Sequence, residues 1–314
     1  MTQHVLDALP AGSPATVAPI SPRRASNPLA KLLLTPSVAV LFLWMIVPLA
    51  MTLYFSFIRY NLLNPDQTGF VGLDNYRYLL EDPTFWPSIG HTLVLIGSVL
   101  AISVIGGTLV AVLFDQPFAG RGIARLLVIA PFFVMPTVSA LIWKNMVLHP
   151  VYGLWAGIFR HLGLQPIDWL ADYPMWSVIV MVAWQWLPFA FLILLTSLQS
   201  LDTEQKEAAQ LDGAGPVRIF VYITLPHLSR AIAVVIMIET IFLLSIFAEI
   251  FTSTAGGPGT ETTTLTWLIY SIGLQQFDIG IASAGGVIAV ILANVVSFFL
   301  VRMLAKNLKG EYDK

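Results

Sequence analysis

Two carboxylates stand where carboxylates are costly. Glu239 and Glu249 interrupt the otherwise apolar run from Ala231 to Phe251. If that run spans a membrane, an ionisable residue inside it is expensive and by default marks function. Each is then a candidate to contact a ligand or an ion, or to pass a proton. Ten residues apart, they would lie about 15 Å from one another along one helix, too far for a paired acid and base. Glu239 has two plainer readings: it is protonated, or it pairs with a polar group on another helix or a partner subunit. Glu249, near the outer end of the run, suits a gate or loop contact as well as a ligand. Upstream, Trp184, Gln185, Trp186 and Phe189 surround Pro188. Aromatic walls with a few placed polar groups are the usual make-up of a ligand pocket, and a proline within a helix frees a backbone carbonyl. Trp184 reads better as packing or as an interface-belt residue. Residues three and four apart share a helix face, which places Phe242, Leu243 and Ile246 beside Glu239.

Other chemistry is excluded. The chain has no cysteine, so disulfides, thiolate metal sites and cysteine nucleophiles are out. His4, His91, His149, His161 and His227 are scattered and form no metal-ligand cluster. There is no Gly-Lys pair, hence no phosphate-cradling loop for ATP, and no G-x-S-x-G nucleophile. A net charge of −2 offers no basic field for nucleic acid. By itself the chain does not read as an enzyme.

The elements that must position these residues follow from where charge is missing. Charged residues are 11% of the 314 and apolar ones 57%, against roughly 25% and 45–50% in soluble domains. No charge occurs between Lys31 and Arg59, Asp82 and Asp115, Arg125 and Lys144, Asp172 and Asp202, or Asp278 and Arg302. About 20 apolar residues cross a membrane as a helix. Five spans are expected, over about 32–57, 91–114, 125–147, 175–199 and 280–303. The run containing Glu239 and Glu249, 230–251, is a sixth. Pro131 and Pro136 bracket a kink in the third. The uncharged stretch Thr262–Phe277 is shorter and more polar; it predicts an outward loop with an interfacial or re-entrant helix around Leu265–Leu274. Gly280, Ala282, Ala284, Gly285 and Gly286 form a small-residue patch for close helix contact. Alternate loops beginning with the N-terminus carry 12 Lys and Arg, and the other set carries four (Arg59, Arg77, Lys144 and Arg160). The positive-inside rule then puts both termini in the cytoplasm. Residues 1–28, rich in Pro, Ala and Ser, read as a disordered cytoplasmic tail ahead of one transmembrane domain, 29–310.

The loop 201–226 between the fourth and fifth spans reads as two short helices. Asp202 can cap the first, with Gln205 in capping-box register. Gly213 supplies a left-handed stop. Pro216 suits the first turn of the second helix, and Leu225-Pro226 ends it before the next span. Ala208, Ala209 and Gly213 give the first helix a smooth surface from which Glu207 projects one charge.

Glu207-Ala208-Ala209, Gly213, and then Ile223-x-Leu225-Pro226 resemble the EAA loop of ABC importer permeases. The family usually has a proline shortly before the Glu, where this chain has Asp202-Thr203. The resemblance runs along nearly all of residues 30–310. Phe70-Val-Gly-Leu-Asp-Asn-Tyr76, Asp82-Pro-Thr-Phe-Trp86 and the Gly256-Gly-Pro-Gly259 turn followed by Thr262–Tyr270 look like carbohydrate-uptake permeases, with His91-Thr92 standing where Asn-Thr is common. Ala183-Trp-Gln-Trp-Leu-Pro-Phe189, Ile223-Thr-Leu-Pro-His-Leu-Ser-Arg-Ala231 and Leu243-Leu-Ser-Ile-Phe-Ala-Glu-Ile250 are most similar to the mannitol/sorbitol branch.

That resemblance implies an all-α polytopic protein of the type I ABC importer permease fold, with six transmembrane helices, in the bacterial inner membrane. It implies a second permease, an ABC ATPase dimer and an extracytoplasmic solute-binding protein as partners. ATP and magnesium would sit on the ATPase, with no cofactor in this chain. Glu207, Ala208, Ala209, Asp212 and Gly213 would couple to the ATPase. Gln185, Trp186, Phe189, Glu239 and Phe242 would meet a carbohydrate, a polyol such as mannitol or sorbitol, or else another mono-, di- or oligosaccharide. Carboxylates or amides would bond its hydroxyls, and aromatic faces would take its C–H surfaces. An ion-coupled secondary transporter using Glu239 is the rival; the paired broken helices frequent in such proteins are not visible in the sequence.

Overall fold

A computed structural model describes residues 28–309. The tail expected over 1–28 lies outside these residues, apart from Pro28, where α1 (Pro28–Ser56) begins. Residues up to Leu49 form one unit and those from Ala50 a second. In the first unit α1 is apolar all round, with side chains such as Phe42, Trp44 and Met45 exposed, as suits a helix solvated by lipid.

The second unit opens with a two-residue antiparallel pairing, β1 (Ile58–Arg59) with β2 (Gly69–Phe70). Buried Asn75, on α2 (Asp74–Glu81), donates to the carbonyls of Ser56 and Ile58 and holds this corner to the helices. α3 (Phe85–Asp115) starts six residues before the expected 91. The reason is local: the Asp82 carboxylate accepts from the Thr84 amide and hydroxyl, 2.7 and 2.6 Å, which turns the chain into the helix early. At 31 residues α3 is about 46 Å long, more than the hydrocarbon core of a bilayer.

The third span is not one kinked helix over 125–147. α4 (Arg121–Ile129) continues as a 3₁₀ turn to Phe133; α5 (Pro136–Ile142) continues as a π turn to Val147; the halves meet at 106°. Met135 precedes a proline, which drives it from helical to extended dihedrals (φ −58°, ψ 137°). Val134 is extended as well, so its carbonyl is left without a helical partner. Two short helices, α6 (Leu154–His161) and α7 (Trp169–Asp172), lead into α8 (Pro174–Leu198), the most enclosed of the long helices. α8 packs along α3, where Gly107 makes the approach possible: a Cβ there would lie 2.9 Å from that of Ala190. Small residues at such contacts let backbones close up without hydrophobic drive.

α9 (Thr203–Leu211) and α10 (Pro216–Ile219) form the expected helix–turn–helix. Leu225-Pro226, however, does not end α10. A π turn, Phe220–Thr224, carries it into α11 (Leu225–Leu243), and 216–243 is one span. Pro226 falls in the first turn of α11, where the shift to i→i+5 bonding tolerates its missing N–H. α11 stops at Leu243, not at 251. Thr266 donates to the carbonyl of Leu244 and Ser245 to that of Phe242, so hydroxyls take carbonyls that a continuing helix would use. α12 (Ala248–Ser253) is therefore separate, and Lys144 binds its last carbonyls, Thr252 and Ser253. Glu239 and Glu249 are on different helices, which removes the 15 Å spacing expected along one. α13 (Leu265–Tyr270) extends by a π turn to Gln275 and is buried against Leu79 and Phe85. α14 (Ile279–Lys309) closes the bundle.

Among the described residues five helices are long and apolar enough to cross a membrane, and the bent pair makes a sixth.

Candidate functional site

The break in the third span, the middle of α8, the end of α11 and the start of α12 line an open cavity of ≈ 490 Å³. Its walls are aromatic. Phe132 stacks on Phe189 with centroids 5.8 Å apart, Trp186 lies 5.9 Å from Phe132, and Phe242 lies 5.3 Å from Trp186. Its polar groups are few. Gln185 is buried and donates through Nε2 to the freed carbonyl of Val134, 2.7 Å. That bond fixes the amide and leaves Oε1 as a buried acceptor with no partner. Glu249 lines the same cavity at 3% exposure, and Ser245 borders it. Rigid rings with one oriented amide and one carboxylate can hold a neutral, hydroxylated molecule by its C–H faces and its O–H donors.

Of the five residues expected to meet a substrate, the structure brings Gln185, Trp186, Phe189 and Phe242 to this cavity and leaves Glu239 out. Along α11 and the turn that follows it the cavity stripe is Ile238, Phe242 and Ser245, spaced by four and three. Glu239 follows Ile238 by 100° and turns into the core, where it is 0% exposed. Ser103 on α3 is the polar group beside it, yet neither carboxyl oxygen nor the Ser103 hydroxyl makes a hydrogen bond of ordinary geometry. Sequence reasoning missed Phe132 and Val134. The signal was present in Pro131 and Pro136, which break the helix and swing these residues toward α8. Glu249, weighed equally as a gate or loop contact and as a ligand contact, lines the cavity.

At the other end of α8 the turn 201–216 is built by local rules. Asp202 caps α9 by accepting from the Glu204 amide, 3.0 Å; no return bond from Gln205 occurs among the described residues. Gly213 is left-handed at φ +79°, and Ala214 N bonds back to Ala209 O, which ends the helix. Glu207, Ala208, Asp212 and Gly213 are exposed and Ala209 half-buried. Leu211 is 89% exposed, with Val217 and Tyr222 also bare. A capped helix showing small and apolar residues this openly is shaped to be covered.

Long apolar helices, an aromatic cavity among them and an exposed, capped turn define the membrane-spanning part of a transporter. Residues 103–310 match the family of binding-protein-dependent transport system inner membrane components, and the chain belongs to it. It is similar to a probable ABC transporter permease protein of Sinorhizobium fredii, 36% identical over 87% of this chain and 88% of that one. It is likewise similar to a sulfoquinovosyl glycerol transport system permease protein of Agrobacterium fabrum, 31% identical over 88% and 90%. Among solved structures, a bacterial ABC transporter that imports the acidic polysaccharide alginate superposes with a TM-score of 0.77, covering 90% of this chain and 96% of its own at 24% identity. That likeness shows the fold. The chain is a multi-pass inner-membrane ABC permease, a transport component whose ATPase is separate.

Proposed function

We propose that this chain is one of two permease subunits of an ATP-driven importer that takes a carbohydrate from an extracytoplasmic binding protein into the cytoplasm. In this reading the substrate is a polyol such as mannitol or sorbitol. The observation that carries it is the cavity: five aromatic side chains (Phe132, Trp186, Phe189, Phe242 and Phe247), a buried amide acceptor oriented by Val134, and the Glu249 carboxylate. Stacked rings favour C–H faces, and uncharged polyols offer O–H donors to the two acceptors. The substrate named for a relative, sulfoquinovosyl glycerol, supports a carbohydrate. The stretches that resemble the mannitol/sorbitol branch support a polyol. Gln185, Trp186, Phe189 and Phe242 would contact it directly.

The turn with Glu207, Ala208, Ala209, Asp212 and Gly213 would seat on an ABC ATPase dimer, which holds ATP and magnesium. ATP-driven closure of the ATPases draws these turns together and opens the cavity outward; hydrolysis returns it inward. This is a two-state equilibrium biased by a nucleotide. The test is reconstitution with the partner permease, ATPase and binding protein. Uptake should require ATP at the ATPase side, and calorimetry of the binding protein against hexitols, monosaccharides and disaccharides should show hexitols binding tightest. Uptake driven by an ion gradient without ATP contradicts the importer; a binding protein that prefers a disaccharide contradicts the polyol.

A further inference from the structure

Among the described residues, a single ion pair joins α9 to the rest of the bundle: Lys206 Nζ lies 2.9 Å from Asp115 Oδ2, and no other hydrogen bond does so. Asp115 is the last residue of α3, where the helix's own carbonyls already gather negative charge. A carboxylate there is misplaced unless a cation answers it, and the answering cation comes from 91 residues away. Both side chains are mostly buried, at 23% and 27% exposure, so water screens the pair less than an ordinary surface contact. Lys206 and Glu207 are neighbours and point 100° apart. One faces the bundle while the other is exposed. α3 packs along α8 through Gly107 and Ala190, and α8 carries Gln185, Trp186 and Phe189.

We propose that the Asp115–Lys206 pair is a positioning strut. It fastens α9 to the end of α3, so that displacement of α9 reaches the α3–α8 pair directly and not only through the chain links at Gln199–Asp202 and Asp212–Gly215. The second of those links contains the left-handed Gly213, where the helix ends. The proposal rests on the reading of α9 as the ATPase-docking helix and adds the residue pair that carries its motion inward.

The experiment uses the complete complex in proteoliposomes, with co-purification of the ATPase, ATP hydrolysis stimulated by loaded binding protein, and uptake per ATP measured together. Asp115→Lys and Lys206→Asp should each leave the ATPase bound and lower uptake per ATP about fivefold, the factor that ~1 kcal/mol makes. The double reversal should return to within about twofold of wild type, because the pair is restored with opposite polarity. Singles that match wild type, or a double no better than its worse parent, overturn the strut. Should a reversal prevent assembly, milder variants carry the test. Asp115→Asn and Lys206→Gln should lower uptake per ATP, while Asp115→Glu and Lys206→Arg preserve it; equal performance of all four overturns the proposal. Glu207→Lys separates the two claims. If it leaves stimulated hydrolysis intact, the docking reading fails and the strut with it. If it abolishes hydrolysis while the charge reversals are silent, the strut alone fails.

Discussion

The cavity and the α9 turn are opposites in construction. The cavity holds Gln185 and Glu249 out of water, fixes Gln185 with one bond to Val134 and places it among rings. The turn does the reverse: it is capped by its own Asp202, ended by Gly213, and leaves Leu211, Ala208 and Glu207 bare. The first is assembled from distant parts of one chain and leaves Gln185 Oε1 without a partner. The second is a surface finished only by another protein. The difference teaches that the two ends answer to separate readouts. Changes on the exposed face of the turn should act on ATP hydrolysis, and changes in the cavity, or in the Asp115–Lys206 pair behind the turn, on what each hydrolysed ATP delivers.

The largest expected effect is at the turn. Glu207→Lys should cut stimulated ATP hydrolysis more than about tenfold, as reversal of a charge in a desolvated contact does, while both permeases still insert. Loss of uptake with hydrolysis intact would break the division between the ends. Gly107→Leu should damage both ends together, because its side chain must enter the space of Ala190. Overpacking costs about 1–3 kcal/mol, read as a lower melting temperature of the complex in detergent. Gln185→Ala removes the buried acceptor and strands the Val134 carbonyl, and should lower uptake per ATP about tenfold. The two carboxylates sharpen the contrast further. Glu249→Gln should reduce uptake several-fold, whereas Glu239→Gln, isosteric and outside the cavity, should change it less than about twofold. Equal losses would return Glu239 to the substrate path. At the turn a milder effect is expected of Gly213→Ala, where a β-carbon at φ +79° costs about 1 kcal/mol and should show as a modest drop in stimulated hydrolysis.

Much of this was legible in sequence, for local reasons. Missing charge marks spans because lipid excludes charge everywhere along them, and Asp202, Gly213 and Pro216 act on their nearest neighbours. What escaped was decided by partners distant in the chain. Leu243–Phe247 contains no proline or glycine, so nothing in it announces a break; Thr266 takes a carbonyl there and α12 packs against α5. Phe242 was grouped with Glu239, three residues back, whereas the stripe that lines the cavity follows Ile238, four back. Pro131 and Pro136 signalled a bend, but only the packing of α8 shows that the bend frees Val134 for Gln185.

The central claim is that the cavity beside Gln185 is where the carbohydrate meets this chain. Its most direct test holds the binding protein, the ATPase and the partner permease constant and compares wild type with Gln185→Ala in proteoliposomes, measuring labelled hexitol imported per ATP hydrolysed. The account predicts a ratio about tenfold lower with hydrolysis still stimulated by loaded binding protein. An unchanged ratio would contradict it.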